Sequence, residues 1–511
     1  MKKILRFIFS RKLFIVAALL IQLFALAVTI ISLSENYVFV YALFTLLSFV
    51  IVYVILNKNT NPAYKLAWII PILLMPIFGG IIYVIYNTET TRKIFEKLTI
   101  KKLKDTEDYL RQDPKVMNDL ENEDVYVANL VKYMNNKGVF PVYKNTSVTY
   151  FPLGEKMFEK MKDELKKAEH FIFMEYFIIQ EGKIWSEIFE ILKQKVSQGV
   201  DVRILYDGMG SQIHLPDGYH KFIAKHGIKC RIFNAFRPFL SSVQNNRDHR
   251  KIMVIDGHTA FNGGVNIADE YANIIDRFGH WKDTAVMLRG DAVWSFTIMF
   301  LQMWNIFPED NENYEQYRPH NFWPEKFKTD GFVMPYGDMP TDGENIGELV
   351  YYDIINKARK YVYITTPYLI LDNEMITALG FAAKSGVDVR IIVPGIPDKK
   401  YVYKIAQAYY KELIDMGVKV YEYTPGFVHA KNFVSDDTKA VVGTINLDYR
   451  SLYLHFECAT FMYKTECVSD IKNDFLDMLG KCREIDYEYI RAIKIHRKVE
   501  SGFLRTLGPL L

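Results

Sequence analysis

DHRKIMVIDGHTAFNGGVNIADEY at 248–271 and VHAKNFVSDDTKAVVGTINLDYR at 428–450 carry the same polar residues at the same intervals. From His249 the order is Lys251, Asp256 and Asn266; from His429 it is Lys431, Asp436 and Asn446, at +2, +7 and +17 in both cases. Gly263-Gly264 and Gly443-Thr444 correspond at +14 and +15. A lone buried histidine usually serves packing. Two, each followed by Lys, Asp and Asn at matching offsets, point to chemistry.

The likeness extends outward. HFIFMEYFIIQ at 170–180 resembles KYVYITTPYLI at 360–370, and GVDVRILYDGMG at 199–210 resembles GVDVRIIVPGIP at 386–397. HGIKCRIFN at 226–234 resembles MGVKVYEYT at 416–424, and the two opening stretches complete the series in the same order. Helical patterns at 155–168 and 345–359 precede apolar, β-branched runs of strand length. Strands alternating with helices imply a layered α/β architecture. The expected organisation is two pseudo-twofold-related α/β halves packed together, at 126–330 and 331–511, the second ending in a tail. A basic juxtamembrane linker at 91–125 and an N-terminal region at 1–90 precede them.

The paired constellations suit a phosphate. Residues i and i+2 on a strand share a face, so each His and its Lys point together. A neutral imidazole can attack phosphorus, and an imidazolium can protonate a leaving oxygen. Lys251 and Lys431 stabilise charge on the phosphate oxygens, and Asn266 and Asn446 can donate to the same oxygens. Asp256 and Asp436, at an odd offset, are expected to brace the scaffold. Glu457 is the candidate orienter of the His429 imidazole and Asp283 that of His249. Thr444 stands in a supporting place. The connection 234–247 before the first His is longer than its counterpart and carries Arg237 and Arg247, candidate substrate contacts. A lysine beside each histidine repels a cation, which argues against a metal site.

Half of the 511 residues are hydrophobic, and the excess lies in the first 90. Three apolar stretches, 13–33, 37–56 and 67–86, each approach the ~20 residues of a membrane-crossing helix. Lys2, Lys3, Arg6, Arg11 and Lys12 place the N-terminus in the cytoplasm. The third stretch contains Pro71, Pro76, Gly79 and Gly80, which break helices. It is read as re-entrant, with the later domains on the cytoplasmic side; the alternative is a kinked crossing that puts them outside. The basic run at 92–104 is attracted to anionic headgroups. The net charge of +3 gives no basis for nucleic-acid binding. The four cysteines show no metal or disulfide spacing and read as unpaired thiols.

HRKIMVID and HAKNFVSD match the HxKxxxxD signature of the phospholipase D superfamily. NPAYKLAWIIPILLMPIFGGIIYVIY, GTINLDYRSLYLHFE and the terminal GPLL make the chain resemble bacterial cardiolipin synthases over nearly its whole length. The resemblance implies two phospholipase D-like halves sharing one active site on a multi-pass cell-membrane protein. It implies phosphatidyl transfer between two phosphatidylglycerol molecules through a phosphatidyl-histidine, yielding cardiolipin and glycerol. The catalytic set carried over is His249, Lys251, Asp256, His429, Lys431 and Asp436; either histidine can be the nucleophile. No cofactor or metal is implied. The partners are phosphatidylglycerol and anionic lipids, not nucleic acid, with room for a homo-oligomer. A membrane-bound phospholipase D releasing phosphatidic acid is the alternative. His455 stands where related sequences often carry asparagine, and Lys282 where arginine is common.

Overall fold

The computed structural model describes residues 20–21, 24, 28, 35–86, 89–211, 213–235, 242–306, 312–323 and 326–510. The apolar stretch 13–33 therefore lies almost wholly, and Arg237 entirely, outside the described residues. Two compact units result, Met1–Phe95 with Phe236–Asn246 and Phe503–Leu511, and Glu96–Ala235 with Arg247–Gly502.

In the first unit, α1 is Glu35–Leu56, α2 Pro62–Leu74 and α3 Pro76–Tyr86. The expected third apolar span is thus two short helices. Pro71 lies inside α2, Met75 leaves helical geometry, and Pro76 begins α3. A Cβ on Gly79 would sit 2.6 Å from Ile72 Cα, so α3 can fold back on α2 only with glycine there. Ile51, Ile55, Ile69, Ile72 and Tyr83 form the small core. The other side of α1 is apolar and exposed, with Phe39 at 74% and Leu46 at 62%. Among the described residues no helix is long and apolar enough to cross a membrane.

Among the described residues the second unit holds two large sheets and a two-stranded one. The first contains β1 (Thr146–Phe151), β2 (Phe171–Tyr176), β3 (Asp201–Asp207), β4 (Lys229–Phe233), β5 (Lys251–Ile255), β6 (Thr259–Gly263) and β8 (Ala285–Gly290). The second contains β9 (Phe332–Asp338), β10 (Tyr361–Thr365), β11 (Asp388–Pro394), β12 (Lys419–Tyr423), β14 (Asn432–Ser435), β15 (Lys439–Gly443), β16 (Glu457–Tyr463) and β17 (Cys482–Glu484). Their orders are β1-β8-β6-β5-β2-β3-β4 and β9-β16-β15-β14-β10-β11-β12-β17. Strand for strand these are one topology, with β17 added at an edge. The parallel strands β2-β3-β4 and β10-β11-β12 come from the repeated segments, and β5 and β14 run antiparallel to β2 and β10.

Period-two burial explains the layering. On β2, Ile172, Met174 and Tyr176 join a core with Met157, Phe158 and Met161 of the helix Gly154–Lys167. Phe173, on the opposite face, stacks on Phe300 at 4.6 Å between ring centroids. Phe300 belongs to α5 (Val293–Trp304), which is buried all round and packs on β2, β5 and β8 of one sheet and β9 of the other. A helix apolar on every side belongs inside a core. The strands β7 (His280–Lys282) and β13 (Gly426–Val428) pair in parallel, joining the halves.

The segment expected to be a linker is helical. Helix α4 spans Glu89–Thr106, followed by a 3-10 turn and the helix Pro114–Glu123. Thr106 Oγ1 accepts a hydrogen bond from Gln302 Nε2 at 2.7 Å, and Thr99 lies 2.9 Å from Thr341 hydroxyl to hydroxyl. Buried threonines with such partners dock the segment against the second unit, to which 96–125 belongs.

Candidate active site

His249 and His429 each stand just ahead of a strand, at the entries to β5 and β14, not within the ladders. Each is fixed by the other half. His249 N donates to Phe456 O at 2.9 Å and its Nδ1 lies 2.9 Å from both oxygens of Glu457. His429 N donates to Lys282 O at 2.7 Å and its Nδ1 lies 2.7 Å from Asp283 Oδ2. The carboxylate orienters are thus exchanged relative to the sequence expectation: Glu457 serves His249 and Asp283 serves His429. The physical reason is the packing of the halves, which presents the segment before β8 to one histidine and the start of β16 to the other. Three further contacts stitch this seam. Thr284 Oγ1 donates to Asn432 Oδ1 at 2.8 Å, Asn262 Nδ2 to Cys458 Sγ at 3.1 Å, and Phe456 N to Arg247 O at 2.8 Å.

The lysines turn back on their histidines. Lys251 Nζ donates to His249 O at 2.5 Å and lies over the Phe177 ring. Lys431 Nζ donates to His429 O and lies 2.9 Å from His429 Nδ1. Burial pushes Lys251 down to about 8 and Lys431 down to about 7. Burial, with Lys431 beside it, pushes His429 down to about 4; His249 falls well below its usual value through burial, then the charges of Lys251, His455, Lys431 and His429. Burial raises Glu457 well above the carboxylate range, so it and His249 are both driven toward neutral forms. Burial also presses Asp283 upward, but His429 and Lys431 outweigh it, and its carboxyl lies below its ordinary value.

Asp256 and Asp436 do not face this site. The strands end before them, and both adopt left-handed backbone, with φ 47° and 55°. Asp256 accepts the backbone N–H groups of Glu169, His170 and Phe171 at 2.8 Å each. Asp436 accepts those of Arg359, Lys360 and Tyr361 at 2.7–3.0 Å. Each closes the turn that leads into β2 or β10. Asn266 Nδ2 donates to Tyr271 Oη at 2.8 Å while its Oδ1 accepts Ile178 N, and Asn446 Nδ2 donates to Ser451 Oγ at 3.0 Å. One N–H of each amide is thus held by the scaffold. Thr444 Oγ1 donates to Glu457 Oε2. Arg247 is 1% exposed, and its Nη1 pairs with Asp207 at 3.4 Å and donates to Asn234 O at 3.0 Å.

Sequence reasoning gave no site role to Phe177, whose ring meets His249 edge-on at 4.9 Å, or to Tyr271 and Trp281, whose rings lie 5.4 and 5.6 Å from His429. Phe177 follows β2, Tyr271 lies in the 3-10 turn Asp269–Ala272 and Trp281 on β7; only the place of Phe177 and Tyr271 within the quoted segments marked them. His249, His455 and Glu457 also bring donor atoms within 4.8 Å of one another, a spacing able to hold a cation, but one that Lys251 faces with its ammonium.

A family model described as "Cardiolipin synthase, PLD-like domain" matches residues 161–275 and 351–479, and one described as "Phospholipase_D-nuclease N-terminal" matches 46–86. An uncharacterized protein of Streptococcus mutans is 50% identical over 457 residues, covering 89% of this chain and 98% of that one. Cardiolipin synthase 2 of Bacillus anthracis is 35% identical over 92% of this chain and 91% of its own, and the cardiolipin synthase of Halalkalibacterium halodurans 35% identical over 90% and 91%. The crystal structure of phosphatidylserine synthase from Haemophilus influenzae superposes with a TM-score of 0.56 at 13% identity, over 76% of this chain and all of that one, a likeness of fold. Both the doubled topology and these relatives lead to one assignment: the chain belongs to the cardiolipin synthase family of the phospholipase D superfamily and is a phosphatidyltransferase.

Proposed function

We propose that the enzyme joins two phosphatidylglycerol molecules into cardiolipin at the shared His249–His429 site. The observation that carries the reading is the crossed bracing: each imidazole takes its carboxylate from the opposite half, so neither half-site is complete alone. One histidine attacks the phosphorus of the first lipid; a P–N bond forms and the glycerol oxygen leaves with a proton from the other histidine. That second histidine then removes a proton from a glycerol hydroxyl of the next lipid, whose oxygen attacks phosphorus as the P–N bond breaks. Lys251 and Lys431 offset charge on the non-bridging oxygens.

Water competes for the intermediate, so transfer requires a dry site and a nearby lipid hydroxyl. A membrane-attached N-terminal unit supplies the second. Support comes from the exposed apolar side of α1, with Phe39, Leu43, Leu46 and Val50, and from the fold-back of α3 on α2, which fits a re-entrant segment that keeps the domains on the cytoplasmic side. The test is purified full-length enzyme in phosphatidylglycerol vesicles with mass analysis of the products. Cardiolipin and free glycerol in equal amounts are expected; phosphatidic acid as the sole product would favour the hydrolase.

A further inference from the structure

His455 stands in the site without a task in the reaction as described. Its backbone is fixed: His455 N donates to Arg450 O at 2.9 Å, and the next residue is bonded to Arg247 O at 2.8 Å. Its side chain is 10% exposed, and neither ring nitrogen has a hydrogen-bond partner among the described residues. The ring lies 5.6 Å from that of His249 between centroids, and Nδ1 is 3.7 Å from Glu457 Oε1, too long for a hydrogen bond. Leaving two buried polar atoms unpaired is costly, and such a group within a reaction site points to a ligand that pairs them.

The surrounding charge narrows that ligand. Beyond burial, Arg450, Lys251, Arg247 and Lys399 all press His455 toward its neutral form. A neutral imidazole has one donor and one acceptor, whereas an anion calls for donors alone. Its complement is a hydroxyl, which also donates and accepts. The phosphate oxygens already have Lys251 and Lys431.

We propose that His455 is a specificity-determining residue that binds the hydroxyl adjacent to the attacking one on the acceptor's glycerol headgroup. The inference rests on the transfer reading above and deepens it by naming what selects the acceptor. His455 makes and breaks no covalent bond. It holds the second hydroxyl of a vicinal pair while the first attacks phosphorus and passes its proton to the general-base histidine.

Two soluble alcohols isolate the effect: 1,2-propanediol and 1-propanol differ only in the vicinal hydroxyl. Full-length enzyme in phosphatidylglycerol vesicles receives each in turn, and the phosphatidyl-alcohols are quantified. Wild type is expected to prefer the diol by about tenfold or more in kcat/KM. His455→Phe is expected to lose the preference, and His455→Gln, which keeps a donor and an acceptor, to retain most of it. His455→Phe should still form phosphatidyl-histidine, and to at least the wild-type amount, because donor attack is intact while discharge onto the glycerol headgroup slows; a damaged fold would form less. A His455→Phe enzyme that keeps the wild-type preference, or a wild type that transfers to both alcohols equally, overturns the inference alone. A wild type that forms only phosphatidic acid with either alcohol overturns the transfer reading and this inference together.

Discussion

At His429 the bracing carboxylate is an aspartate under a glycine; at His249 it is a glutamate under a threonine. The backbone is the same in both places. Gly264 N donates to Thr284 O at 3.0 Å and Thr444 N donates to Cys458 O at 2.9 Å, equivalent bonds at equivalent positions. The side chains then diverge. A methyl on Gly264 would collide with Asp283 Oδ1, whereas Thr444 adds a hydroxyl that donates to Glu457. Asp283 keeps its charge beside His429 and Lys431, while burial drives Glu457 and His249 toward neutrality. A duplicated scaffold thus sets two imidazoles, both driven toward neutrality, against unequal carboxylates, one charged and one driven toward its neutral form.

Removing charge at the two carboxylates should expose this inequality. Asp283→Asn is expected to lower kcat about a thousandfold, because the amide no longer orients the His429 imidazole or stabilises the positive charge it gains during the reaction. Glu457→Gln, replacing a group already driven toward its neutral form, should cost only about tenfold. Equal losses in steady-state phosphatidylglycerol turnover would erase the distinction. A smaller effect is expected at the residues above them. Gly264→Ala should displace Asp283 and lower kcat about a hundredfold, while Thr444→Val, which removes one hydrogen bond to Glu457, should lower it less than tenfold.

The pH profile follows from the same site. Neutral His429 predominates above about pH 4, and charged Lys431 and Lys251 are lost as pH rises through about 7 and about 8. The rate should climb through the lower value and decline above neutrality. Lys431→Arg, charged throughout, should move the alkaline limb upward by about one pH unit; an unmoved limb would remove Lys431 from it. The smallest effect on chemistry is predicted at the turn aspartates. Asp256→Asn or Asp436→Asn weakens three backbone bonds and should cost about 2–4 kcal/mol of stability, read by thermal unfolding, with kcat of the folded enzyme near wild type.

The repeat made the sheet order legible, because four segment pairs in one order can only build one topology twice. It also located both histidines and both lysines. It left out which carboxylate serves which histidine. Asp283 lies 17 residues after Asn266 and Glu457 lies 11 after Asn446, so both were assigned without knowledge of the packing between halves, and both fell on the wrong imidazole. The partners of Asn266 and Asn446 were not legible for a related reason: Tyr271 and Ser451, five residues on, each accept one amide N–H, and no pattern announces that. The region at 91–125 read as a linker from its charge, while Thr99 and Thr106, which dock it, carry no such signal.

Trapping the intermediate is the most direct trial of two histidines acting on one phosphorus. Enzyme mixed with phosphatidylglycerol is quenched in alkali, digested, and its peptides are weighed for an acid-labile phosphatidyl adduct. One adduct per chain is expected, on residue 249 or residue 429, with turnover abolished by alanine at either. Sustained turnover in His249→Ala or His429→Ala, or full activity with no histidine adduct at any time, would contradict the account.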